Sequence, residues 1–139
     1  MSGIFLLLNQ ITQQAAKRGI NLTISAMRAS VEKIPLYDLN ILLANLFNNA
    51  VEAAERTEEK KVEIRIEKNR AYLQIMVQNS VVGNPLRENP RLTTSKDDKD
   101  LHGFGMPIIQ TIVEKYQGML QMDSSEGIMK IDVLLLDEE

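Results

Sequence analysis

Three polar side chains, Asn45, Asn49 and Glu52, recur at spacings of four and three residues within an otherwise apolar stretch. These spacings place side chains on one face of a helix. About fifty residues later, the segment His-Gly-Phe-Gly-Met at 102–106 contains two glycines. Two amides and a carboxylate on one helix face, together with a distant flexible glycine segment, are what a pocket for a magnesium-bound nucleotide requires.

Asn49 is the candidate metal ligand. Its amide oxygen is a neutral, hard ligand, which suits a Mg²⁺ ion whose charge is already compensated by a triphosphate. The alternative is that this polar stripe faces water and that Glu52 pairs with Arg56 one turn later. The neighbouring Asn48 is expected to face solvent rather than the nucleotide.

The glycine segment is expected to open a helix, where free backbone amides and the helix dipole favour a phosphate group. Gly103 and Gly105 would let the main chain approach that phosphate closely. Lys96 and Lys99 precede them and could contact phosphate as point charges, with Lys96 the preferred candidate. His102 is the single histidine of the chain and is expected to contact phosphate or the loop, not to act as a base. The alternative is an ordinary flexible junction with solvated lysines.

The composition of the chain argues against several classes of function. A chain of 139 residues with 44% hydrophobic content predicts one domain with a single core. The net charge of -3 and the scattered basic residues argue against a nucleic-acid partner. The absence of cysteine excludes disulfides and thiolate metal sites. It is also compatible with the cytosolic setting that we expect. The apolar run at 4–8 is too short to span a membrane and has no basic leader, so we expect no signal peptide and no membrane span.

The periodicity of apolar residues predicts three helices and five strands around these motifs. The helices are expected at 4–18, from Pro35 to about Arg56, and around 108–116. The strands are expected at 20–27, 62–67, 72–77, 119–124 and 128–136. This order favours a layered mixed sandwich over alternating parallel βαβ units.

Three local features refine these predictions. Asp38 is expected to act as a cap or as an acidic residue in the first turn of the long helix, and Gly118 to end the last one. Between 80 and 101 we predict a loop of about twenty residues. Loops of that length in compact domains are usually binding lids or disordered segments.

With these motifs in hand, the stretch from Gly19 to Leu136 resembles the ATP-binding catalytic domain of sensor histidine kinases. That family belongs to the GHKL superfamily, which it shares with gyrase, the heat-shock chaperone and mismatch-repair ATPases. The resemblance is carried by Leu42–Ala53, similar to the family's N box, by Gln78–Gly83, by Thr94–Met106 and by Tyr116–Gly118.

The resemblance implies a Bergerat fold, an α+β two-layer sandwich with a mixed, mostly antiparallel sheet, helices on one face and a flexible ATP lid. Residues 1–18 would be the end of a stalk or linker helix. Residues 19–139 would form the catalytic domain, with the lid at about 80–104.

The resemblance also implies residue roles, with ATP and Mg²⁺ as cofactors. Asn49 would hold the metal, Asn45 would lie near the phosphates, and Asn79 stands where the family has an aspartate that accepts a hydrogen bond from adenine. An amide oxygen can accept this bond as well. The complete cofactor-binding set is Asn45, Asn49, Asn79, Gly83, Lys96, His102, Gly103, Gly105 and Met106.

The first glycine of the box after Asn79 is replaced by Val81, which leaves Gly83. This weakened box resembles the Agr-type branch of kinases that sense peptide pheromones. Hydrolysing members of the superfamily have a glutamate where this chain has Asn45, and an amide cannot take up a proton. Phosphoryl transfer is therefore favoured over hydrolysis, unless Glu52 substitutes. The predicted catalytic residues are Asn45, Glu52 and Lys96.

The phosphate acceptor is expected outside this chain, because the only histidine lies in the predicted lid. The implied partners are a histidine-bearing dimerisation domain of the same membrane-tethered receptor and, indirectly, a response regulator. Two alternatives stay open. The first is a serine protein kinase of the anti-sigma type, and the second is a degenerate, non-catalytic interaction domain of the same fold.

Overall fold

The computed structural model describes residues 3–27, 31, 33–88 and 106–138, which form four helices and five strands. The helices are α1 (Gly3–Lys17), α2 (Leu36–Ala54), α3 (Pro85–Glu88) and α4 (Met106–Lys115). The strands are β1 (Asn21–Met27), β2 (Lys61–Asn69), β3 (Tyr72–Ser80), β4 (Met119–Ser125) and β5 (Ile128–Leu136). All three predicted helices and all five predicted strands are present within a few residues of their expected bounds.

The strands form one sheet in the order β1-β2-β3-β5-β4. β1 pairs with β2 in parallel, and the other three pairings are antiparallel. The prediction of a mixed, mostly antiparallel sheet is confirmed. A two-residue turn joins β4 to β5, with positive φ angles of 50° at Glu126 and 77° at Gly127, as expected for a tight hairpin turn.

The two faces of the sheet differ in polarity because side chains alternate along each strand. Ile64, Val77 and Ile131 lie side by side on one face and are buried. The neighbouring row on the other face holds polar residues such as Glu63 and Lys130. The helices cover the apolar face, and α2 contributes the largest share of the helical core. Its buried apolar residues are Leu39, Leu42, Leu43, Leu46, Phe47, Ala50, Val51 and Ala54.

Gly118 follows α4, but its conformation is not what ends the helix. The residue with positive φ is Gln117, at 51°, and the Gly118 N–H donates to the Val113 carbonyl at 2.8 Å. A glycine is needed at 118 for space, since a Cβ there would lie 2.0 Å from the Leu134 carbonyl oxygen. The helix therefore ends near the predicted position, but through the left-handed conformation of Gln117, whereas Gly118 is required by its close packing against β5.

Asp137, directly after β5, is fully buried and joins three parts of the chain. Its Oδ1 accepts backbone N–H bonds from Lys33 at 2.7 Å and Ile34 at 3.1 Å, just before α2. Its Oδ2 lies 2.5 Å from the Lys68 ammonium at the end of β2. A charged pair this deeply buried is costly to break, because the remaining partner loses its compensation.

We therefore expect Asp137→Ala to lower the free energy of unfolding by about 3–5 kcal/mol. Urea denaturation at neutral pH measures this change. Glu138→Ala, at the exposed neighbouring position, is the control and should change stability by less than about 0.5 kcal/mol. Equal effects of the two substitutions would show that the buried carboxylate does not anchor α2.

Candidate functional site

The C-terminal half of α2 and the end of β3 enclose a cavity of about 30 Å³. α2 contributes Asn49 and Ala53, and β3 contributes Val77 and Asn79. The remaining wall includes Val81, Pro85, Met129 and Ile131. This volume is close to that of one water molecule and far below the several hundred Å³ of typical small-molecule sites. A larger ligand must therefore widen the cavity.

A hydroxyl bridge holds the end of α2 against the end of β3. The Thr57 and Ser80 hydroxyl oxygens lie 2.8 Å apart. Thr57 also lies 2.7 Å from the Ala54 carbonyl, and Ser80 accepts the Lys61 N–H at 3.0 Å. The helix and the strand that line the cavity are therefore connected directly and not only through the core.

Asn79 is buried, with 5% of its surface exposed. Its side-chain nitrogen donates to the Ser80 carbonyl at 2.9 Å, which fixes the orientation of the amide. No residue that the structure describes donates a hydrogen bond to its Oδ1. The amide oxygen is therefore the atom that can accept a hydrogen bond from a ligand, and the adenine contact assigned to it stays a prediction.

Asn48 and Asn49 point in different directions although they are adjacent, because a helix turns by about 100° per residue. Asn49 lines the cavity beside the sheet. Asn48 is exposed and lines a separate groove between α1 and α2. The structure thus distinguishes the asparagine assigned to the metal from the one expected to face solvent.

Asn45, Glu52 and Met106 do not line this cavity within the described part of the chain. Asn45 lies one turn before Asn49, and its amide nitrogen donates to the Ile41 carbonyl at 2.7 Å. Glu52 is half-buried on the same helix. Met106 is the first residue of α4 and its side chain is 1% exposed, so only its main chain can meet a ligand. Their predicted roles stay predictions.

The segment after β3 is more ordered than a loop. Gly83 has a positive φ of 72°, and α3 follows it. The Asn84 Oδ1 accepts the Arg87 N–H at 3.2 Å and also the Ser124 hydroxyl of β4. The prediction of an irregular loop is therefore wrong at 85–88. Asn84 before Pro85 is a helix-start signal that sequence reasoning missed.

Four predicted site residues, Lys96, His102, Gly103 and Gly105, lie outside the described residues. The same holds for the 89–104 part of the predicted lid. Their assigned contacts remain expectations from the sequence.

A second, larger cavity of about 620 Å³ lies at the same end of the sheet and shares Asn79 and Val81 with the first. Its wall carries three carboxylates, from Glu59, Glu63 and Glu126, and one ammonium group, from Lys61. This excess of negative charge disfavours a polyphosphate. The small cavity beside Asn49 is therefore the better candidate for an anionic ligand.

A family model described as the GHKL domain matches residues 34–136, which is most of the chain. The chain belongs to the GHKL domain family. This assignment confirms the resemblance drawn from the sequence motifs, while the Agr-type branch stays a prediction. None of the helices described in this GHKL domain is long and apolar enough to cross a membrane.

One curated relative of the GHKL domain is the probable C4-dicarboxylate sensor kinase of Bacillus subtilis (strain 168). It is 29% identical over 110 residues, which cover 74% of this chain and 20% of the relative. The chain thus spans about a fifth of the length of that protein.

Solved structures share the same architecture. The nucleotide-free catalytic domain of the histidine kinase ThkA has a TM-score of 0.75 at 17% identity, over 98% of this chain and 93% of that one. The mycobacterial sensor histidine kinase MprB has a TM-score of 0.71 at 16% identity, over 96% and 93%. Full-length ShkA in complex with AMPPNP has a TM-score of 0.73 at 16% identity, over 96% and 30%. These similarities show the α+β two-layer fold of the GHKL domain.

Asp38 lies in the first turn of α2, as one of its two predicted roles had it, but it does not cap the helix. No side-chain bond caps α2; Pro35 precedes the helix in extended conformation. The Asp38 Oδ2 instead accepts hydrogen bonds from the Lys115 ammonium at 2.8 Å and from the Tyr116 hydroxyl. These two bonds, with that of Lys115 the stronger influence, hold the pKa of Asp38 below its usual value. Asp38 thus fastens α2 to the end of α4.

This contact predicts a pH dependence of stability. Because the pKa of Asp38 is lower in the folded state, its contribution is fully present above its unfolded-state pKa of about 3.9 and is lost as the pH falls through the folded-state value. Urea denaturation should therefore show Asp38→Asn to be less stable than the parent at pH 7, with the difference shrinking below about pH 4.

Glu114→Gln, an exposed position on α4, is the control for removing a carboxylate nearby. Its free energy of unfolding should fall with decreasing pH in the same way as that of the parent. The ion-pair assignment would be contradicted if the free energies of unfolding of Asp38→Asn and the parent differed by the same amount at every pH down to acid unfolding.

Proposed function

We propose that this GHKL domain binds Mg²⁺–ATP between α2 and the end of β3 and transfers the γ-phosphoryl group to a histidine outside the chain. The observation that carries the proposal is that Asn49 and Asn79, which come from different elements, line one cavity. The two amides match the two ends of a nucleotide, since one suits a metal-bound triphosphate and the other suits a base.

Adenine would lie beside Asn79. The base offers an exocyclic amino donor, and the Asn79 Oδ1 is an acceptor whose orientation the bond to the Ser80 carbonyl fixes. The apolar walls formed by Ala53, Val77, Met129 and Ile131 suit the faces of a ring. Because the cavity is small, binding requires the segment carrying Val81 and Pro85 to move away from α2.

The protein offers few metal ligands at this site, which suits a magnesium ion that is held mainly by its nucleotide. Within the described ranges no cluster of three or more His, Cys, Asp or Glu residues could hold a metal. Asn49 would supply one neutral oxygen ligand, and phosphate oxygens and water would complete an octahedral shell. When bound, the ion neutralises charge that develops on the phosphate oxygens.

The protein contributes to the reaction by positioning the nucleotide and the acceptor rather than by transferring a proton. In the transfer, the bond from the γ-phosphorus to the β–γ bridging oxygen breaks, and a bond from phosphorus to an imidazole nitrogen forms. Asn45 cannot take up a proton, which disfavours activation of water. A neutral imidazole is already a nucleophile and needs less help. Lys96 would stabilise the transferring phosphoryl group as a point charge, and Glu52 is the remaining candidate base.

The length of the curated relative suggests where the phosphoryl acceptor and the further partners come from. The curated relative is a probable sensor kinase about five times longer than the matched region, so the remainder of such a receptor can supply both the histidine and a dimerisation domain. A response regulator would receive the phosphoryl group from that histidine. On this proposal the domain works in the cytosol as part of a membrane-tethered receptor.

The direct test of transfer is incubation of this domain with Mg²⁺–ATP and a histidine-bearing dimerisation domain supplied in trans. The expected product is a phosphorylated histidine, whose phosphoryl group stays attached in base and is released by acid. An acid-stable product would indicate a serine kinase instead. Absence of nucleotide binding in any condition would indicate a non-catalytic interaction domain.

The two adjacent asparagines of α2 give a matched pair of variants. Asn49→Ala should weaken Mg²⁺–nucleotide affinity roughly 10-fold or more, because it removes the protein's ligand to the metal. Asn48→Ala removes the same chemical group from the opposite groove and should leave the affinity within about twofold. Titration calorimetry with a non-hydrolysable ATP analogue measures both. Equal losses in the two variants would contradict the assignment of the metal to Asn49.

A second pair of variants tests the base contact. Asn79→Leu removes the acceptor and should weaken binding of the nucleotide up to roughly 10-fold, with or without Mg²⁺. Asn79→Asp keeps an acceptor and should preserve or strengthen binding. The aspartate cannot donate a hydrogen bond to the Ser80 carbonyl, so the free energy of unfolding of the Asn79→Asp variant should be lower than that of the parent. If both variants bind like the parent, adenine does not contact this position.

A further inference from the structure

The base contact in the proposed nucleotide site is an amide, and an amide differs from a carboxylate in a way that affects the choice of base. An ionised carboxylate offers only acceptors, whereas a carboxamide offers an acceptor at one end and a donor at the other. The Asn79 side chain can therefore present either one to a ligand, depending on how its amide is turned. The base that fits the site depends on what holds this amide in one orientation.

A single hydrogen bond holds the Asn79 amide within the described part of the chain. Its Nδ2 donates to the Ser80 carbonyl at 2.9 Å, and its Oδ1 has no donor among the described residues. These residues contain no fully enclosed side-chain nitrogen or oxygen that lacks a hydrogen-bond partner, so the unpaired Oδ1 opens onto accessible space. The acceptor end of the amide is thus the end that a ligand meets, and the donor end faces the main chain.

The main chain at Ser80 is itself held in place from three sides. Ser80 is paired with Ile128 of β5 at the end of the sheet. Its hydroxyl oxygen accepts the Lys61 N–H of β2 at 3.0 Å and lies 2.8 Å from the Thr57 hydroxyl. The Ser80 carbonyl is therefore a fixed acceptor, and the Asn79 side chain is the part of this pair that can adjust to a different base.

Purine bases differ at position 6 in the same sense, as donors or acceptors. Adenine carries an amino group there, whereas guanine carries an oxygen that only accepts, as hypoxanthine does. The amino group matches the Asn79 Oδ1 as the amide stands. The oxygen would match Nδ2 after the amide turns by about 180° around its last side-chain torsion, which is a broad and roughly two-fold one. This turn breaks the hydrogen bond to Ser80 and leaves two acceptors facing each other.

We propose that this chain also binds 6-oxopurine nucleotides, with the turned Asn79 amide as donor, and that the hydrogen bond to the Ser80 carbonyl sets its preference for adenine. The inference rests on the nucleotide site proposed above and deepens it. The loss of one hydrogen bond, with two acceptors opposed, corresponds to a preference of roughly 10-fold and below about 100-fold. A carboxylate at this position has no donor to turn toward the oxygen and would reject such a base more strongly.

The test compares a non-hydrolysable ATP analogue with the corresponding inosine triphosphate analogue. Hypoxanthine lacks the 2-amino group of guanine, so it differs from adenine only at position 6 and in the hydrogen on N1. Displacement of a fluorescent ATP analogue at about pH 8, where an aspartate is ionised, gives both dissociation constants. Their ratio for the parent chain should favour adenine roughly 10-fold.

Two substitutions should move this ratio in opposite directions. Asn79→Asp removes the donor and should raise the preference for adenine by roughly another 10-fold or more. Asn79→Leu removes both the donor and the acceptor and should lower the preference to below about threefold. A purely structural role of Asn79 would weaken both nucleotides alike and leave the ratio unchanged. Each variant tests the inference alone, so the other still decides it if one fails to fold.

The matched control is Gln78→Leu, which removes a carboxamide from the adjacent position of β3. Gln78 lies on the opposite face of the sheet, in the row of Glu63 and Lys130. This variant should leave the ratio within about twofold of the parent value.

Three results would overturn the inference while leaving the nucleotide site in place. The first is a parent that binds the ATP analogue and disfavours the inosine analogue more than about 100-fold, and the second is a parent that binds both equally. The third is a ratio that Asn79→Asp and Asn79→Leu leave unchanged. Absence of binding of both analogues to the parent would instead overturn the inference together with the proposed function.

Discussion

The packing of α2 on the sheet determines what each of its polar side chains can contact. The helix buries apolar residues along most of its length, and the Thr57–Ser80 hydroxyl bridge fixes its end against β3. Its rotation about its own axis is therefore set by the core. Because successive residues point about 100° apart, Asn49 lies in the cavity beside β3 and Asn48 lies in the groove beside α1. A different rotation would exchange these two environments.

The sequence predicted the parts of the fold that depend on local periodicity. Alternating residues gave β2 and β3, and the three-to-four spacing gave α1 and α2. What it could not predict depends on contacts between distant positions. Asp38 was predicted as a helix cap or a first-turn acid and does lie in the first turn, but its partners, 77 and 78 residues away, could not be predicted. Asp137 anchors the start of α2 from the opposite end of the chain. The four-residue helix α3 is too short to show a periodic pattern.

The candidate site was predictable to a similar extent. The sequence motifs identified both Asn49 and Asn79, and the structure adds that the Asn79 amide is held by the Ser80 carbonyl. No sequence pattern reports that orientation, since it arises from the local backbone of a buried strand end. The solved relatives keep the fold at 16–17% identity. Conservation of architecture at this level leaves function to be argued from the residues of the site.

The central claim is that one nucleotide contacts both α2 and the end of β3. The most direct measurement is nuclear magnetic resonance of the side-chain amides during titration with Mg²⁺ and a non-hydrolysable ATP analogue. The account predicts that the amide signals of Asn49 and Asn79 shift together at the same ligand concentration, while those of Asn40 and Asn48 stay in place. Shifts confined to Asn40 and Asn48, or no shift of Asn49 and Asn79 at saturation, would contradict it.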